Sequence, residues 1–534
     1  MTEAVSLEDG AKSLPLTDQA SAEQPLGPWL APRWAALSAA LGGVALYLSA
    51  PPLMLWPLCF VGSLLLALAL EGRRARSSFG LGLLCAFFYW IFAAPWLVGT
   101  VERFAGLSRA VGVVLFLLFC VGQSLMLAVQ SAVAASLRKS VGRVLAVALA
   151  TLFAERFVSS VFAWQFAAPL VDAPWIAQSG DVLTVTGISA LVHALSAALV
   201  ARGREIVTGA PTQRRRRIEL HATLALFVIA SVYGGVRTYQ FRSDTSQQTL
   251  DVALIQPSVP PLVRWEESAA ASILATLHAS TRAAIAQNPD LIVWHEGAFP
   301  YVLPHQAGRD GVLAPPVYTV QQAPPIVFGL MSAGPGELRY NAAFLRNEDG
   351  TFSEPVAKRA LVPFGEAVPF AHELPWLARI FVRSGGISPG EGQPLLRTRS
   401  GVTLGVLICF EDTLSHVAAA AAPGELLVNL TNDAWFVSPV ALEEHLLMAR
   451  WRSIELRRET VRAVNSGISG RIDVMGHVVA RAPMQVSQVL IVRARRYHGW
   501  TFAPHFARFA GKIAAIAIFG VWLVQLFRRV RSPR

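Results

Sequence analysis

One cysteine stands where a thiol could do chemistry. Cys409 follows Thr403–Ile408, a short apolar run whose β-branched residues predict a buried strand, and it precedes Glu411. The other three cysteines lie inside long apolar runs, at Cys59, Cys85 and Cys120. A thiol at the end of a core strand is held rigidly and can reach a cleft, so Cys409 is a candidate nucleophile. The alternative is a core cysteine, because free cysteine is among the most buried residue types.

Two charged residues could activate this thiol. Glu296 comes just after Leu291–Trp294, a second strand-like run, and Lys358 precedes a proline-containing loop that carries Glu366. Each of them alone is most simply a solvated charge. Together they suit acyl transfer, because a thiol needs a base to become a thiolate and an ammonium can stabilise first the thiolate and then the oxyanion of a tetrahedral intermediate. The three side chains predict a thioester mechanism without histidine or metal.

Between residues 240 and 500, strand-like runs alternate with helical stretches, which predicts a layered α/β domain. Strands are expected at Asp251–Ile255, Leu291–Trp294, Ile326–Leu330, Thr403–Ile408, Glu425–Leu430 and Val461–Val464. Helices are expected at Glu266–Gln287, Leu414–Ala421 and Glu443–Arg458, and long loops at 361–395. This domain contains all three candidate residues.

The overall composition is that of a membrane protein. Hydrophobic residues make up 53% of the 534 residues and charged residues only 15%, against about 25% in soluble domains. A helix needs about 20 apolar residues to cross a bilayer. Eight such runs lie near 34–50, 53–71, 79–98, 110–137, 142–163, 183–201, 218–236 and 507–527. The predicted domains are a disordered tail without a cleavable signal peptide (1–30), seven membrane helices (31–238), a catalytic domain (239–500) and a last span with a basic tail (501–534).

Basic residues between the spans predict the orientation. With the N-terminus in the cytoplasm, most loop arginines and lysines fall on the cytoplasmic side, as the positive-inside rule requires. The catalytic domain then faces the other side, and the C-terminus returns to the cytoplasm. The run Arg214–Arg217 is either a patch for nucleic acid or anionic lipid or part of this signal, and the flanking apolar runs favour the signal. We therefore expect no nucleic-acid partner.

Two other features bear on the chemistry. The sequence has no CxxC and no Cys/His cluster, so we expect neither a metal site nor a cofactor. Glu155 and Arg156 stand near the end of the fifth predicted span. They are either a functional pair or, as we favour, an interfacial pair that reaches water.

Four motifs resemble those of the nitrilase superfamily. They are WHEGAFP (294–300), K-x-x-L-V-P-F-G-E (358–366), CFED (409–412) and TNDAWF (431–436). With the flanking spans, the chain resembles the apolipoprotein N-acyltransferase family of bacterial inner membranes. The resemblance covers nearly all of the chain after residue 30, including 174–189, 255–260, 340–341 and 445–473. It implies an eight-span membrane domain and an αββα sandwich domain facing the periplasm.

The resemblance also implies a reaction. In that family an acyl chain moves from a membrane phospholipid to the cysteine, and the α-amine of a diacylglyceryl-cysteine at a lipoprotein N-terminus then attacks the thioester. Glu296 would be the general base, Lys358 would stabilise the oxyanion and Cys409 would be the nucleophile. The implied partners are a phospholipid donor, a diacylglyceryl apolipoprotein acceptor and the bilayer, with the enzyme acting as a monomer.

Further positions take supporting roles from the resemblance. Glu366 would orient Lys358 or assist proton transfer, and Glu411 would support the pocket. Trp265 matches a family position near the mouth of the active site. The other supporting or substrate-binding positions are Asn341, Phe410 and Trp435.

Four positions depart from the commoner family pattern. His295 stands where Pro is usual, Gly297 where Ser or Thr is usual, Phe410 where Tyr is common, and Val437 where Gly is typical. None of these departures removes a member of the proposed triad. They change the loops around it.

Alternative readings remain open at this point. The large apolar residues near Lys358 either fill the core or form arms at the membrane interface; they are Phe364, Phe370, Trp376, Ile380 and Phe381. The same triad could serve a membrane-anchored carbon–nitrogen hydrolase acting on a soluble amide or nitrile. The chain could also be a scaffold or transporter with a decayed domain, but an intact Glu, Lys and Cys argue against decay.

Overall fold

The first half of the chain folds into helices. The computed structural model describes residues 27–158, 161–211, 213–243, 247–260, 263, 267–306, 323–363, 365–368, 373, 386–436 and 438–531. The helices are α1 (Pro32–Ser49), α2 (Pro57–Leu70), α3 (Ala75–Ala93), α4 (Trp96–Ala105), α5 (Arg109–Val141), α6 (Arg143–Phe157), α7 (Pro174–Ala177), α8 (Gly180–Thr208) and α9 (Arg214–Ser243). The predicted tail lies almost entirely outside the described residues.

A helix lies at each of the eight predicted spans, the last being α13 (Ala503–Arg531). Five described helices, α3, α5, α8, α9 and α13, are long and apolar enough to cross a membrane. The helices α1, α2 and α6 are shorter or less apolar. The third span also ends earlier than predicted: α3 stops at Ala93, and Pro95 precedes a separate helix, α4. Proline favours such a break because it lacks an N–H and clashes inside a helix.

The second half holds the strands that carry the candidate site. They are β1 (Thr249–Gln256), β2 (Leu291–Trp294), β3 (Leu303–Pro304), β4 (Ile326–Ala333), β5 (Arg339–Arg346), β6 (Val356–Ala357), β7 (Leu395–Arg397), β8 (Thr403–Ile408), β9 (Leu426–Thr431), β10 (Thr460–Val464), β11 (Gly470–Ile472), β12 (Val478–Arg481) and β13 (Gln488–Arg495). The helices among them are α10 (Ala270–Ile285), α11 (Ser415–Ala418) and α12 (Pro439–Leu456). Each of the six strands predicted from the sequence is present.

These strands form two sheets that pack face to face. One has the order β13-β1-β2-β4-β5-β6, with β3 beside β4, and the other has the order β12-β11-β10-β9-β8-β7. Alternate residues of each strand, such as Val252 and Val293 in one sheet and Val406 and Val428 in the other, share one buried core. The outer faces pack against helices: Ile292 lies with Leu277 of α10, and Leu407 lies with Ala418 of α11. The domain is therefore an αββα sandwich, as expected.

The parallel strands decide where chemistry can occur. The pairs β1–β2, β8–β9 and β9–β10 are parallel, so their carboxyl ends reach the same edge of each sheet. Ligand sites in sheets with parallel strands favour that edge. Glu296, Cys409 and Asn432 each follow the carboxyl end of such a strand, after β2, β8 and β9.

Buried polar contacts fix the sandwich domain on the apolar helices. Arg457, at the end of α12, donates to Asp181 at 2.9 Å and to both the side chain and the carbonyl of Gln178. Thr184 interrupts α8 with a φ of 58°, and the next amide, that of Val185, donates to the Glu455 carboxylate at 3.0 Å. A side chain of the catalytic domain thus satisfies a backbone donor that the kink would leave unpaired.

Candidate active site

Cys409 lies on a sharp turn at the end of β8. Its φ is +51°, in the left-handed region that non-glycine residues rarely adopt, and a 3₁₀ turn, Cys409–Thr413, begins there. The thiol is partly buried. Backbone conformations of this kind concentrate at functional sites, where the surrounding structure holds them in place. Because of this turn, the chain leaves the line of strand β8 at Cys409.

Lys358 is the centre of the charged site. It is 1% exposed, and its Nζ donates to Glu296 Oε1 at 3.2 Å and to Glu366 Oε1 at 2.9 Å. Burial lowers the pKa of Lys358, but the negative charges of Glu296 and Glu366, with that of Cys409 when it is ionised, outweigh burial and raise it above its ordinary value. The ammonium is therefore a permanent positive charge inside the site.

Glu296 is held by donors from three parts of the domain. Its Oε1 accepts from Asn341 Nδ2 at 2.7 Å as well as from Lys358. Its Oε2 accepts from the backbone amide of Asn432 at 2.9 Å. Asn341 Nδ2 also donates to Glu366 Oε1 at 2.9 Å. One amide group thus holds the two carboxyl groups on either side of the lysine. Asn341 is a positioning residue.

The thiol and the two charges act on one another. Burial raises the pKa of Cys409 well above its ordinary value, Glu296 raises it further, and Lys358 opposes them. The resting group is accordingly a thiol rather than a thiolate. Such a nucleophile needs a base at the moment of attack. The structure brings Glu296, Lys358 and Cys409 together, as the sequence motifs predicted.

Glu411 connects the nucleophile turn to the lysine segment. It is 2% exposed, and its Oε2 accepts from the Ile408 amide at 2.9 Å. Its Oε1 accepts from the amides of Arg359 and Ala360 at 2.7 and 3.1 Å. A single carboxyl group therefore fixes the backbone on both sides of the Cys409–Lys358 pair, which gives physical content to the supporting role expected of it.

The remaining predicted positions fall into three groups. Phe410, the residue after Cys409, lines a cavity, and Trp435 lies in a short 3₁₀ turn and is 38% exposed. Gly297 has a φ of +57°, so the residue that replaces Ser or Thr there suits the backbone. Outside the described residues lie Trp265, Val437 and the apolar set Phe364, Phe370, Trp376, Ile380 and Phe381.

A cavity of about 200 Å³ lies between Phe410, in the turn that begins at Cys409, and the apolar helices α6, α8 and α13. Phe410 and Pro363 line it on the catalytic side, and Leu152, Glu155 and Arg156 line it on the membrane side. Glu155 accepts a hydrogen bond from the Phe166 amide at 3.0 Å. Glu155 and Arg156 therefore line this cavity. The sequence favoured an interfacial pair that reaches water, and the structure gives the pair a defined location.

Several buried residues of the site were not predicted. The Asn432 amide holds Glu296, and behind Cys409 lie Asp412, Asp433, His445 and Arg462, joined to one another by ion pairs. Asn432 and Asp433 fall within the TNDAWF motif, and Asp412 within CFED, so the motifs were a signal. His445 and Arg462 had only their place in a resembling stretch.

Comparison with known proteins agrees with this architecture. The model of the apolipoprotein N-acyltransferase N-terminal domain matches residues 42–198, and the carbon–nitrogen hydrolase model matches residues 251–496. A solved amidase from Nesterenkonia sp. covers 46% of this chain and 90% of its own, at 18% identity and a TM-score of 0.33, a likeness too weak to bear on function.

Relatives match most of the length of this chain. The apolipoprotein N-acyltransferase of Geobacter metallireducens is 30% identical over 93% of this chain and 96% of its own length. Those of Haemophilus ducreyi and Brucella melitensis are 27% and 28% identical, over 72% and 83% of this chain and 75% and 86% of their own lengths. The chain belongs to the apolipoprotein N-acyltransferase family.

Proposed function

We propose that this chain transfers a fatty acyl group from a membrane phospholipid to the N-terminal amine of diacylglyceryl-cysteine in apolipoproteins, through a thioester on Cys409. The observation that carries the proposal is the set of Lys358, Glu296 and Cys409, with Phe410, the residue after Cys409, lining a cavity that apolar helices bound on the other side. The names of the full-length relatives supply the substrate class.

In the first step Glu296 takes the proton from the Cys409 thiol as Sγ attacks the ester carbonyl carbon of the phospholipid. The oxyanion forms next to the ammonium of Lys358, where a buried positive charge stabilises it far more than it would in water. Collapse of the intermediate breaks the bond to the glycerol oxygen. That oxygen leaves with the proton from Glu296 as a lysophospholipid, and the thioester remains.

In the second step Glu296 accepts a proton from the attacking amine of the lipoprotein. The nitrogen bonds to the thioester carbon, Lys358 again faces the oxyanion, and the carbon–sulfur bond breaks. The sulfur leaves as a thiolate and recovers its proton from Glu296, so both residues return to their starting states. Exclusion of water protects the thioester between the two steps.

Other residues shape the site in this proposal. Glu366 and Asn341 hold Lys358 and Glu296 in register, and Glu411 holds the Cys409 turn. Phe410, the residue after Cys409, lines the cavity through which we expect the acyl chain to enter. Trp435 takes a supporting or substrate-binding role, and the family resemblance implies that Trp265 acts near the mouth of the site.

The proposal includes a place in the cell. We assign the protein to the bacterial inner membrane with eight spans, the catalytic domain in the periplasm and both termini in the cytoplasm. The domain bounds proposed are 31–238 for seven helices, 239–500 for the catalytic domain and 501–534 for the last helix and tail, with 1–30 as a cytoplasmic tail. The enzyme acts as a monomer. Helices at all eight positions and the basic cytoplasmic loops support this arrangement.

A substrate panel tests the proposal. The detergent-purified protein is given a phospholipid with a diacylglyceryl lipopeptide, or a set of soluble amides and nitriles. We expect N-acylated lipopeptide and lysophospholipid from the first mixture. Turnover of soluble amides without lipopeptide acylation would instead favour a membrane-anchored carbon–nitrogen hydrolase.

A further inference from the structure

A second charged cluster lies behind the nucleophile. This ion cluster consists of Asp412, Asp433, His445 and Arg462, and the side chains of its members are 1–8% exposed. His445 Nε2 lies 2.9 Å from Asp412 Oδ1, and its Nδ1 lies 2.8 Å from Asp433 Oδ1. Arg462 pairs with both aspartates, through Nη1 to Asp412 and through Nη2 to Asp433 at 3.1 Å.

Contacts of the imidazole indicate its charge. Ionised carboxylates only accept hydrogen bonds, so a ring placed between two of them is satisfied when both nitrogens carry protons. Arg462 Nη2 also lies 3.1 Å from Nδ1, but the shorter contact of Nδ1 is with Asp433. Burial lowers the pKa of His445, whereas Asp433 and Asp412 outweigh burial and raise it to about 9.

The two aspartates belong to the two turns that carry the reaction. Asp412 lies in the 3₁₀ turn that begins at Cys409, and Asp433 follows Asn432, whose amide holds Glu296. His445 comes from α12 and Arg462 from β10, so neither is a neighbour of these turns in sequence. The two cations therefore join the nucleophile turn to the turn that holds the base.

The aspartates also have an electrostatic effect on the thiol. Asp433 raises the pKa of Cys409, which opposes formation of the thiolate. Two cations beside two carboxylates remove the net negative charge from behind the sulfur. Without the charge on His445, the cluster would contain two carboxylates and one guanidinium.

We propose that protonated His445 is a positioning residue for the acyl-transfer site: it bridges Asp412 and Asp433, fixes the Cys409 turn against the turn that holds Glu296, and neutralises the charge behind the thiol. This inference rests on the proposed function for its reaction, but its effect on thiol reactivity can be measured without any acyl donor.

The experiment follows two reactions of Cys409 from pH 6 to pH 10.5, in the wild type and in His445→Gln. One is alkylation by iodoacetamide, read from the Cys409 peptide by mass spectrometry, and the other is release of lysophospholipid in a single turnover. We expect His445→Gln to lower both rates about 10- to 100-fold at pH 7, with little change in KM for phospholipid. As the pH rises through about 9, loss of the His445 proton should make the wild-type rates rise less steeply than ionisation of a thiol with one fixed pKa requires, and the variant should follow a single ionisation.

Controls separate the outcomes. His477, which pairs with Asp473 and is 45% exposed in its side chain, is the matched histidine, and His477→Gln should behave as the wild type. Equal alkylation profiles for the wild type and His445→Gln would overturn the inference, even if both acylate. If the wild type is alkylated faster than His445→Gln, as expected, but forms no acyl-enzyme, the result would contradict the proposed function instead. If His445→Gln does not fold, a wild-type profile that follows a single thiol ionisation through pH 9 is by itself decisive against the inference.

Discussion

Two charged clusters meet at the Cys409 turn, and they differ in how their charges balance. In front of the thiol, the proton-transfer cluster of Glu296, Lys358, Glu366 and Asn341 has two carboxyl groups for one ammonium. Behind it, the ion cluster of Asp412, Asp433, His445 and Arg462 has two carboxylates and two cations. The front can accept a proton, whereas the back is already balanced.

This difference indicates that the proton-transfer cluster takes part in the reaction and that the ion cluster supports the structure. A cluster with one more carboxylate than it has cations, placed next to the thiol, can accept a proton at little cost in charge separation. A balanced cluster stabilises the geometry but has no reason to exchange protons during turnover. Substitutions in front should therefore change the rate with little change in stability, and substitutions behind should change both.

The largest effect is expected at the base. Glu296→Gln keeps the shape and can keep the contact with the backbone amide of Asn432, although its NH₂ group then faces the donors of Asn341 and Lys358. Because it cannot accept the thiol proton, single-turnover acylation should slow about 10²- to 10⁴-fold. Lysophospholipid release in rapid-quench experiments measures this. The control is Glu354→Gln outside the site, which should be neutral, and unchanged thioester build-up in Glu296→Gln would remove the role of base.

A smaller loss is expected at the ammonium. Lys358→Met preserves much of the side-chain volume but leaves the oxyanion without its positive partner, so acylation should fall about 10²- to 10³-fold. Lys139→Met, at an exposed position on α5, is the matched control and should leave the rate unchanged. A rate within threefold of wild type for Lys358→Met would show that another group stabilises the oxyanion.

Glu411 lies between the two clusters and should show a mixed effect. In Glu411→Gln one oxygen that accepts backbone amides becomes an NH₂ group, which leaves a buried donor facing another donor. We expect a loss of about 1–3 kcal/mol in the free energy of unfolding, together with slower acylation. Thermal unfolding in detergent reports the first change, and a variant as stable as the wild type would contradict the role.

The smallest expected effect is a pH dependence of stability that comes from the ion cluster alone. The folded-state pKa of His445, about 9, lies above its ordinary value near 6.5. The stability that the ion cluster contributes is therefore fully present below about pH 6.5 and is lost as the pH rises through about 9. The difference in Tm between the wild type and His445→Gln should shrink over that interval, and a difference independent of pH would contradict it.

The proton-transfer cluster was predictable from the sequence, and the ion cluster was only partly predictable. Glu296 and Cys409 end short apolar runs, and strand ends of that kind place side chains at one edge of a sheet. Strands β5 and β13 were missed: β5 pairs antiparallel with β4, and β13 pairs with β1 across more than 200 residues of chain. Pairing over the separation between β1 and β13 leaves no local pattern, whereas β5 directly follows β4 and its omission has no such reason.

The same reason explains the ion cluster. His445 lies on a helix whose sequence mixes apolar and charged residues, and Arg462 lies in a strand with mostly apolar neighbours. Each looks like an ordinary charge until the fold places it beside Asp412 and Asp433. A buried charge is tolerated only when it is paired, so the partner, which is distant in sequence, carries the information.

The most direct test of the account is the mass of the Cys409 peptide. Protein purified from membranes, or incubated with phospholipid alone, should carry a fatty acyl group on that peptide, labile to hydroxylamine, and addition of diacylglyceryl lipopeptide should discharge it. Cys409→Ala should carry no such adduct and should produce no N-acylated lipopeptide. An adduct that persists in Cys409→Ala, or lipopeptide acylation by that variant, would contradict the assignment of Cys409 as the nucleophile.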